Sequence, residues 1–371
     1  LNGDHPITTA PSTNDTPLRI IPLGGVGEIG KNMYVFEYGD DIVVIDCGLM
    51  FPDADMLGVD LVLPDFRWLL DRADDIEGCI VTHGHEDHHG ALAYLLRDLS
   101  FPIIGSALSL GFASNRIDEA GLMGRTRMIV VKDNERRRFG PFDCEFIPVT
   151  HSVPQGFATA FHTPQGTILH TGDWKLDLTP VDGRLTDLGV MGAIAQNEGV
   201  RLLLSDSTNA DQCGHSRSER SVGKVLHDLF AASAGRRIVT ACFASHVHRV
   251  QQIADAPIAH EPVIGTRCMS MKKHGKLANE NGLRMLTSRG SGSGYAWGRR
   301  PRAIIGAALA SEVRTASGMS SRSNMAMKVI GRALSASMKS SSSSSGSSIT
   351  PICLVIAISI APLPRSRSAL Q

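Results

Sequence analysis

The chain has 371 residues, 42% of them apolar, and equal numbers of basic and acidic side chains, 37 of each. That length allows one large domain or two ordinary ones, and the apolar share is enough to bury a core. The zero formal charge hides an asymmetry: residues 257–371 carry 16 Lys and Arg against 3 Asp and Glu, which leaves residues 1–256 acidic, excludes a nonspecific phosphate-coating surface there, and confines any nucleic-acid contact to a groove or a metal.

Residues 1–17 are polar and lack the apolar stretch of a secretory signal, so they are expected to form a flexible leader. Short β-rich runs follow at 19–23, 33–38 and 41–46, separated by Gly-rich or acidic turns that predict hairpins. Residues 25–30 (GVGEIG) match G-x-G-x-x-G after a strand. A dinucleotide site needs a helix next, whereas Lys31 and Asn32 lead into the strand-like MYVFEY, so a tight turn between strands is expected. Residues 80–82 form a short buried strand, and 90–99 (GALAYLLRDL) have helical spacing of apolar residues. Further strands are predicted at 128–131, 144–149, 157–162 and 167–170, central buried strands at 202–205 and 238–241, and helices at 222–232 and 247–254. Mixed elements of this kind imply a layered α/β (α+β) domain.

Past residue 256 the composition shifts to 22 serines, including a run at 340–345, and no strand-helix rhythm is evident. Three readings stay open for 257–371: a disordered basic tail, a divergent domain, or a stretch read out of frame. The longest apolar run, 351–364, falls short of the ~20 residues that span a bilayer, so no membrane association is expected. Seven scattered cysteines without a CxxC pair argue against a disulfide framework and fit a reducing compartment such as the cytoplasm.

The densest chemical signal is Thr82-His83-Gly84-His85-Glu86-Asp87-His88-His89-Gly90, between an apolar strand and a helix. Side chains alternate along an extended segment, so His83 and His85 project to one side. Asp87 and His88, at the helix opening, can reach a second point a few ångströms away. Imidazoles mixed with carboxylates suit zinc, with positions left open for water. His151 follows the strand at 144–149, and Asp173 follows the strand at 167–170 on a turn that Gly172 permits. Asp173 could bridge two metals with its two oxygens. A lone His is usually structural, but these six residues in this order predict a metal centre.

On these motifs, and on residues 18–60, PVTHSVP at 148–154, HTGDWKLD at 170–177, LLLSDSTNA at 202–210 and ASHVHRVQQIA at 244–254, the chain resembles the bacterial ribonuclease J family, in the β-CASP group of the metallo-β-lactamase superfamily. The likeness covers about residues 18–256. It implies an αββα sandwich over 18–205, with a β-CASP insertion beginning near Ser205 and present as 206–256. It implies 5′→3′ exonuclease and endonuclease action on RNA, in RNA processing and decay, with two zinc ions. By resemblance His83, His85 and His151 hold one zinc, Asp87 and His88 the other, and Asp173 bridges. Asp87 would also orient or deprotonate the attacking water, and Asp206 matches the first acidic β-CASP motif and would act near the leaving group. Residues 211–218 depart from the family pattern. The later β-CASP histidines, the second half of the sandwich and the dimerisation region that makes the family homo-oligomeric have no counterpart past 256. The sandwich is therefore expected to be incomplete. Two rival readings remain: a truncated or frame-disrupted chain that binds at most one zinc, and a small-ester or lactam hydrolase of the same fold, which GGVGEIGKN and SDSTNA disfavour.

Overall fold

A computed structural model of the protein describes residues 16–53, 55–208, 210–211, 213–233, 238–256, 264–266, 269–283 and 303–307. The chain divides into two units, the first running to His151 and then taking in Gln155–Lys175 and Thr186–Asp206.

β-branched and aromatic runs in the first unit pair into two sheets. The first holds β1 (Leu18–Gly24), β2 (Met33–Tyr38), β3 (Asp41–Ile45), β4 (Ile76–Val81), β5 (Ile103–Gly105) and β6 (Met128–Val130), in that order. Its first three strands are antiparallel, and β3 to β6 run parallel. Between its strands the chain forms α1 (Arg67–Leu70), α2 (Glu86–His89), α3 (Leu92–Asp98) and α4 (Ala107–Glu119). The second sheet holds β7 (Arg136–Phe139), β8 (Phe142–Val149), β9 (Gly156–Thr163), β10 (Gly166–His170) and, after α5 (Leu188–Asn197), β11 (Val200–Leu204), in the order β11-β10-β9-β8-β7. Only the β10–β11 pair is parallel.

The period-two alternation sorts side chains into three cores. Phe36, Val43, Ile45 and Ile80 of the first sheet meet Phe142, Phe146, Phe157 and Phe161 of the second. The intervening residues of the first sheet, Met33, Val35, Ile42, Val44, Cys79 and Val81, turn the other way onto Leu92, Leu95 and Leu96 of α3 and Leu110 and Ala113 of α4. Ala158 and Ala160 of β9, with Ile147 and Val149 of β8, face Ile194 of α5. The result is a helix, sheet, sheet, helix stack, as the sequence implies.

One expectation for this unit is corrected. The apolar run at 202–205 does not make a central buried strand: β11 is the last strand of its sheet, and Leu202 and Leu203 are 41% and 56% exposed. An unbroken apolar run suits a strand buried on both faces, but here the strand pairs β10 alone among the described residues.

The second unit comprises Ser152–Pro154, Leu176–Leu185 and the chain from Ser207 onward. It contains α6 (Arg220–Ala232), β12 (Ile238–Cys242), α7 (Val247–Asp255), β13 (Ile264–Thr266), α8 (Met269–Glu280) and β14 (Ala303–Ala307). The three strands pair in parallel in the order β12-β14-β13, so the strand expected to be central at 238–241 lies at the edge of its sheet among the described residues, though Ile238, Thr240 and Ala241 are buried. Strand-helix alternation therefore continues past residue 256, where composition gave no sign of it. Bulk composition hides the small buried stripe of α8, formed by Met271, Gly275 and Ala278. Residues 284–302 and 308–371, with the serine run and the apolar run at 351–364, lie outside the described residues. Among the described residues no helix is long and apolar enough to cross a membrane.

Candidate metal centre

The end of β4 delivers the histidine cluster. Beyond Val81 the chain bends at His83 and Gly84, is extended at His85 and then turns into α2, which brings His83 and His85 together and places Asp87 and His88 in the helix's opening turn. β8 ends beside His151, and β10 leads through Gly172, in the left-handed region at φ +57, to Asp173.

One ligand atom from each of His83, His85, His151 and Asp173 lies within 4.8 Å of the others, and among the described residues this is the one group of three or more metal-ligating side chains so gathered. His83 Nε2 is 2.9 Å from His85 Nδ1, His151 Nε2 is 3.2 Å from the same atom, and Asp173 Oδ2 is 3.9 and 3.7 Å from His83 Nε2 and His151 Nε2. A tetrahedral zinc with bonds of about 2.0–2.1 Å separates its donors by about 3.3 Å, which these spacings bracket. The donor set therefore fits such an ion. The other Asp173 oxygen, Oδ1, lies 3.4 Å from His88 Nε2, which is itself 3.7 Å from Asp87 Oδ2. Asp173 thus turns one oxygen to each half of the cluster.

The electrostatics match. Burial holds His83 well below the usual imidazole range and His85 at about 3, with the neighbouring histidines adding to the effect, so both present neutral lone pairs. His88 goes the other way: burial opposes its charged form, but Asp173, Asp46 and Asp87 outweigh it and raise its pKa. Asp173 is held well below the carboxylate range despite its burial, chiefly by His88. Carboxylates crowded on one imidazole favour positive charge at this point, which a cation satisfies as a proton does.

Two contributors were not visible in the sequence. Asp46, 1% exposed at the end of β3 with φ +59, accepts from His88 Nδ1 at 2.7 Å, Thr82 Oγ1 at 2.8 Å and Thr82 N at 2.8 Å. With Nδ1 donating there, Nε2 of His88 is left to face Asp173 and Asp87. Asn32 donates from Nδ2 to the Asp87 carbonyl at 3.1 Å. The signal for Asp46 was an acid closing the apolar strand DIVVI. Asp206 lies just past β11, and its backbone N–H donates to Thr171 Oγ1 at 3.0 Å, two residues before Asp173. The G-x-G-x-x-G segment joins β1 to β2 with no helix after it, as expected.

Residues 26–197 match the family model of the metallo-beta-lactamase superfamily, and residues 235–289 match that of the Ribonuclease J beta-CASP domain. The second match runs beyond residue 256, where the resemblance was expected to stop. The Ribonuclease J of Mycolicibacterium smegmatis is 44% identical over 266 residues, covering 71% of this chain and 47% of the relative. That of Mycobacterium tuberculosis is 45% identical over 267 residues, covering 72% and 47%. The chain thus spans about half the length of the curated relatives it matches. A solved protein of unknown function from Enterococcus faecalis V583 superposes with a TM-score of 0.55 at 15% identity, over 79% of this chain and 77% of that one, a likeness of fold alone.

Proposed function

Since the chain belongs to the metallo-beta-lactamase superfamily, as a relative of ribonuclease J, we propose that it hydrolyses RNA phosphodiester bonds at the site of His83, His85, Asp87, His88, His151 and Asp173, with two zinc ions, acting from 5′ ends and internally, in the cytoplasm. The observation that carries the reading is the four-residue cluster within 4.8 Å, with the second oxygen of Asp173 turned to His88.

Divalent ions held here supply Lewis acidity, drawing charge from a phosphate oxygen and making water acidic near neutral pH. The chain's own part is to arrange that chemistry. His83, His85 and His151 would hold the first ion, and Asp87 and His88 the second, with Asp173 shared. Asp46 fixes the ring of His88 by accepting a hydrogen bond from its Nδ1–H. Asp87, with 35% of its side chain exposed, can orient the attacking water and accept its proton. Asp206, anchored through its backbone to the turn that carries Asp173, would act near the leaving group.

His85→Ala tests the site. The variant is expected to lose first-ion zinc, because a side chain that ligates the ion directly is gone, and to lose cleavage of a 5′-monophosphorylated RNA. Full cleavage by the variant would sink the assignment. Hydrolysis of small esters or lactams with RNA left intact would sink the choice of substrate.

A further inference from the structure

The turn at residues 25–30 serves no nucleotide, yet it is held closely to the metal edge. Lys31 N donates to Leu49 O at 3.0 Å, Asn32 N to Asp87 O at 3.0 Å, and Gly48 N to Asn32 O at 3.0 Å. Within the turn, Glu28 Oε1 accepts from Gly25 N at 3.2 Å and pairs with Lys31 Nζ at 2.5 Å. Lys31 itself sits at φ +40, a conformation a Lys rarely adopts unless its surroundings hold it there. A turn braced from inside and tied at its end delivers one side chain, Asn32. The Nδ2 of Asn32 is 3.1 Å from the Asp87 carbonyl, 3.5 Å from Asp87 Oδ2 and 3.2 Å from His88 Nε2.

We propose that Asn32 is a positioning residue for the second metal ion: its backbone N–H and its Nδ2 both donate to the Asp87 carbonyl and so fix the Asp87–His88 segment, leaving the lone pairs of Asp87 Oδ2 and His88 Nε2 to that ion. This rests on the two-ion reading given above. Asn32 acts on the segment of Asp87 and His88, the two residues assigned to the second ion alone, so the effect is expected to be selective. Gly25 is part of the device. It lies at φ +84, and a Cβ there would come 2.3 Å from Asn32 Oδ1. Gly27, in the same turn at φ +72, has nothing within 4 Å of a Cβ. Gly25→Ala therefore pushes on Asn32, while Gly27→Ala strains the turn without touching it.

The test is zinc titration of the full chain by calorimetry, with ions per chain counted after dialysis and cobalt substitution reporting each site's absorption. The wild type should bind two ions. Asn32→Ala, and Asn32→Leu as a shape control without a donor, should weaken the second ion about 10–100-fold, the usual cost of losing a partner that orients a ligand. The first ion should bind unchanged, which also shows that the variants fold. Gly25→Ala should follow Asn32→Ala, and Gly27→Ala should follow the wild type. Two ions bound by Asn32→Ala with wild-type affinity would overturn this inference and leave the two-ion reading standing. Loss of both ions together would overturn the claimed selectivity. A wild type that binds fewer than two would overturn the two-ion reading and this inference with it.

Discussion

Asp46 shows how far one side chain reaches. It is a buried carboxylate with three donors on it, from Thr82 N, Thr82 Oγ1 and His88 Nδ1. Asp46→Asn keeps the shape but cannot accept from all three with a charged group. It should cut the affinity for the second ion about 10–100-fold while the first ion stays bound, read by metal competition; equal affinities would remove Asp46 from the site. Gly48 is constrained by space: a Cβ there would fall 1.6 Å from the Asp87 carbonyl oxygen, inside the backbone of the metal loop. Gly48→Ala should therefore destabilise by more than the ~1–3 kcal/mol usual for overpacking, measured by urea unfolding, and a neutral result would mean that the loop yields. The histidine cluster was legible because four of its residues fall within six positions. Asp46 and Asn32 were not, because a single polar residue at a strand end is common and only the fold shows which imidazole or carbonyl it meets.

At the scale of elements, alternation read along MYVFEY and DIVVI gave the strands and, through them, the core. The aromatic centre between the sheets has Phe161 tilted at 49° to Phe36 with ring centroids 4.6 Å apart, and edge-on at 6.5 Å to Phe142. Phe161→Ala should cost about 3–5 kcal/mol, seen as a lower urea midpoint; a shift under 1 kcal/mol would mean that the two sheets do not depend on this contact. α4 escaped the sequence reading because Gly111, Ser109, Ser114 and Asn115, all weak helix formers, interrupt its apolar pattern, although Ser106 caps it by accepting from Ser109 N. β11 was read as buried because its apolar run says nothing about how many neighbours a strand will have. In the second unit, Glu219 joins two helices: Arg249 Nε donates to its Oε1 at 2.7 Å, and Gln252 Nε2 donates to its carbonyl at 2.9 Å. Burial alone would raise the Glu219 pKa, but His246 and Arg249 bring it down to about 2. A depressed carboxylate adds stability that is full above its ordinary 4.5 and is lost as pH falls from there toward 2. Burial also lowers His246 below 6.5, so protonating it in the unfolded chain removes stability over the same falling direction. The α6–α7 pair should loosen as pH drops below about 6.5, and Glu219→Gln should flatten the acid end of that profile, measured by urea unfolding from pH 7 to 3. Stability that rises on acidification would contradict the pairing.

At the scale of the whole molecule, the acidic front and the basic remainder foretold two parts. The structure does show two units, but it divides them differently: Leu176–Leu185 joins the chain beyond Ser207, and strands and a helix continue past 256. Chain order alone could not show that a ten-residue stretch crosses to the other unit. The proposed function rests on where the sandwich places its strand ends, since β4, β8 and β10 each close beside a residue of the His83, His85, His151 and Asp173 cluster. The most direct measurement is the products formed from a 5′-end-labelled, 5′-monophosphorylated RNA by the purified 371-residue chain, before chelation, after chelation and after zinc is returned. The account predicts cleavage that stops with the chelator and resumes with zinc. RNA left whole by the zinc-loaded protein, or cleavage that continues unchanged in chelator, would contradict it.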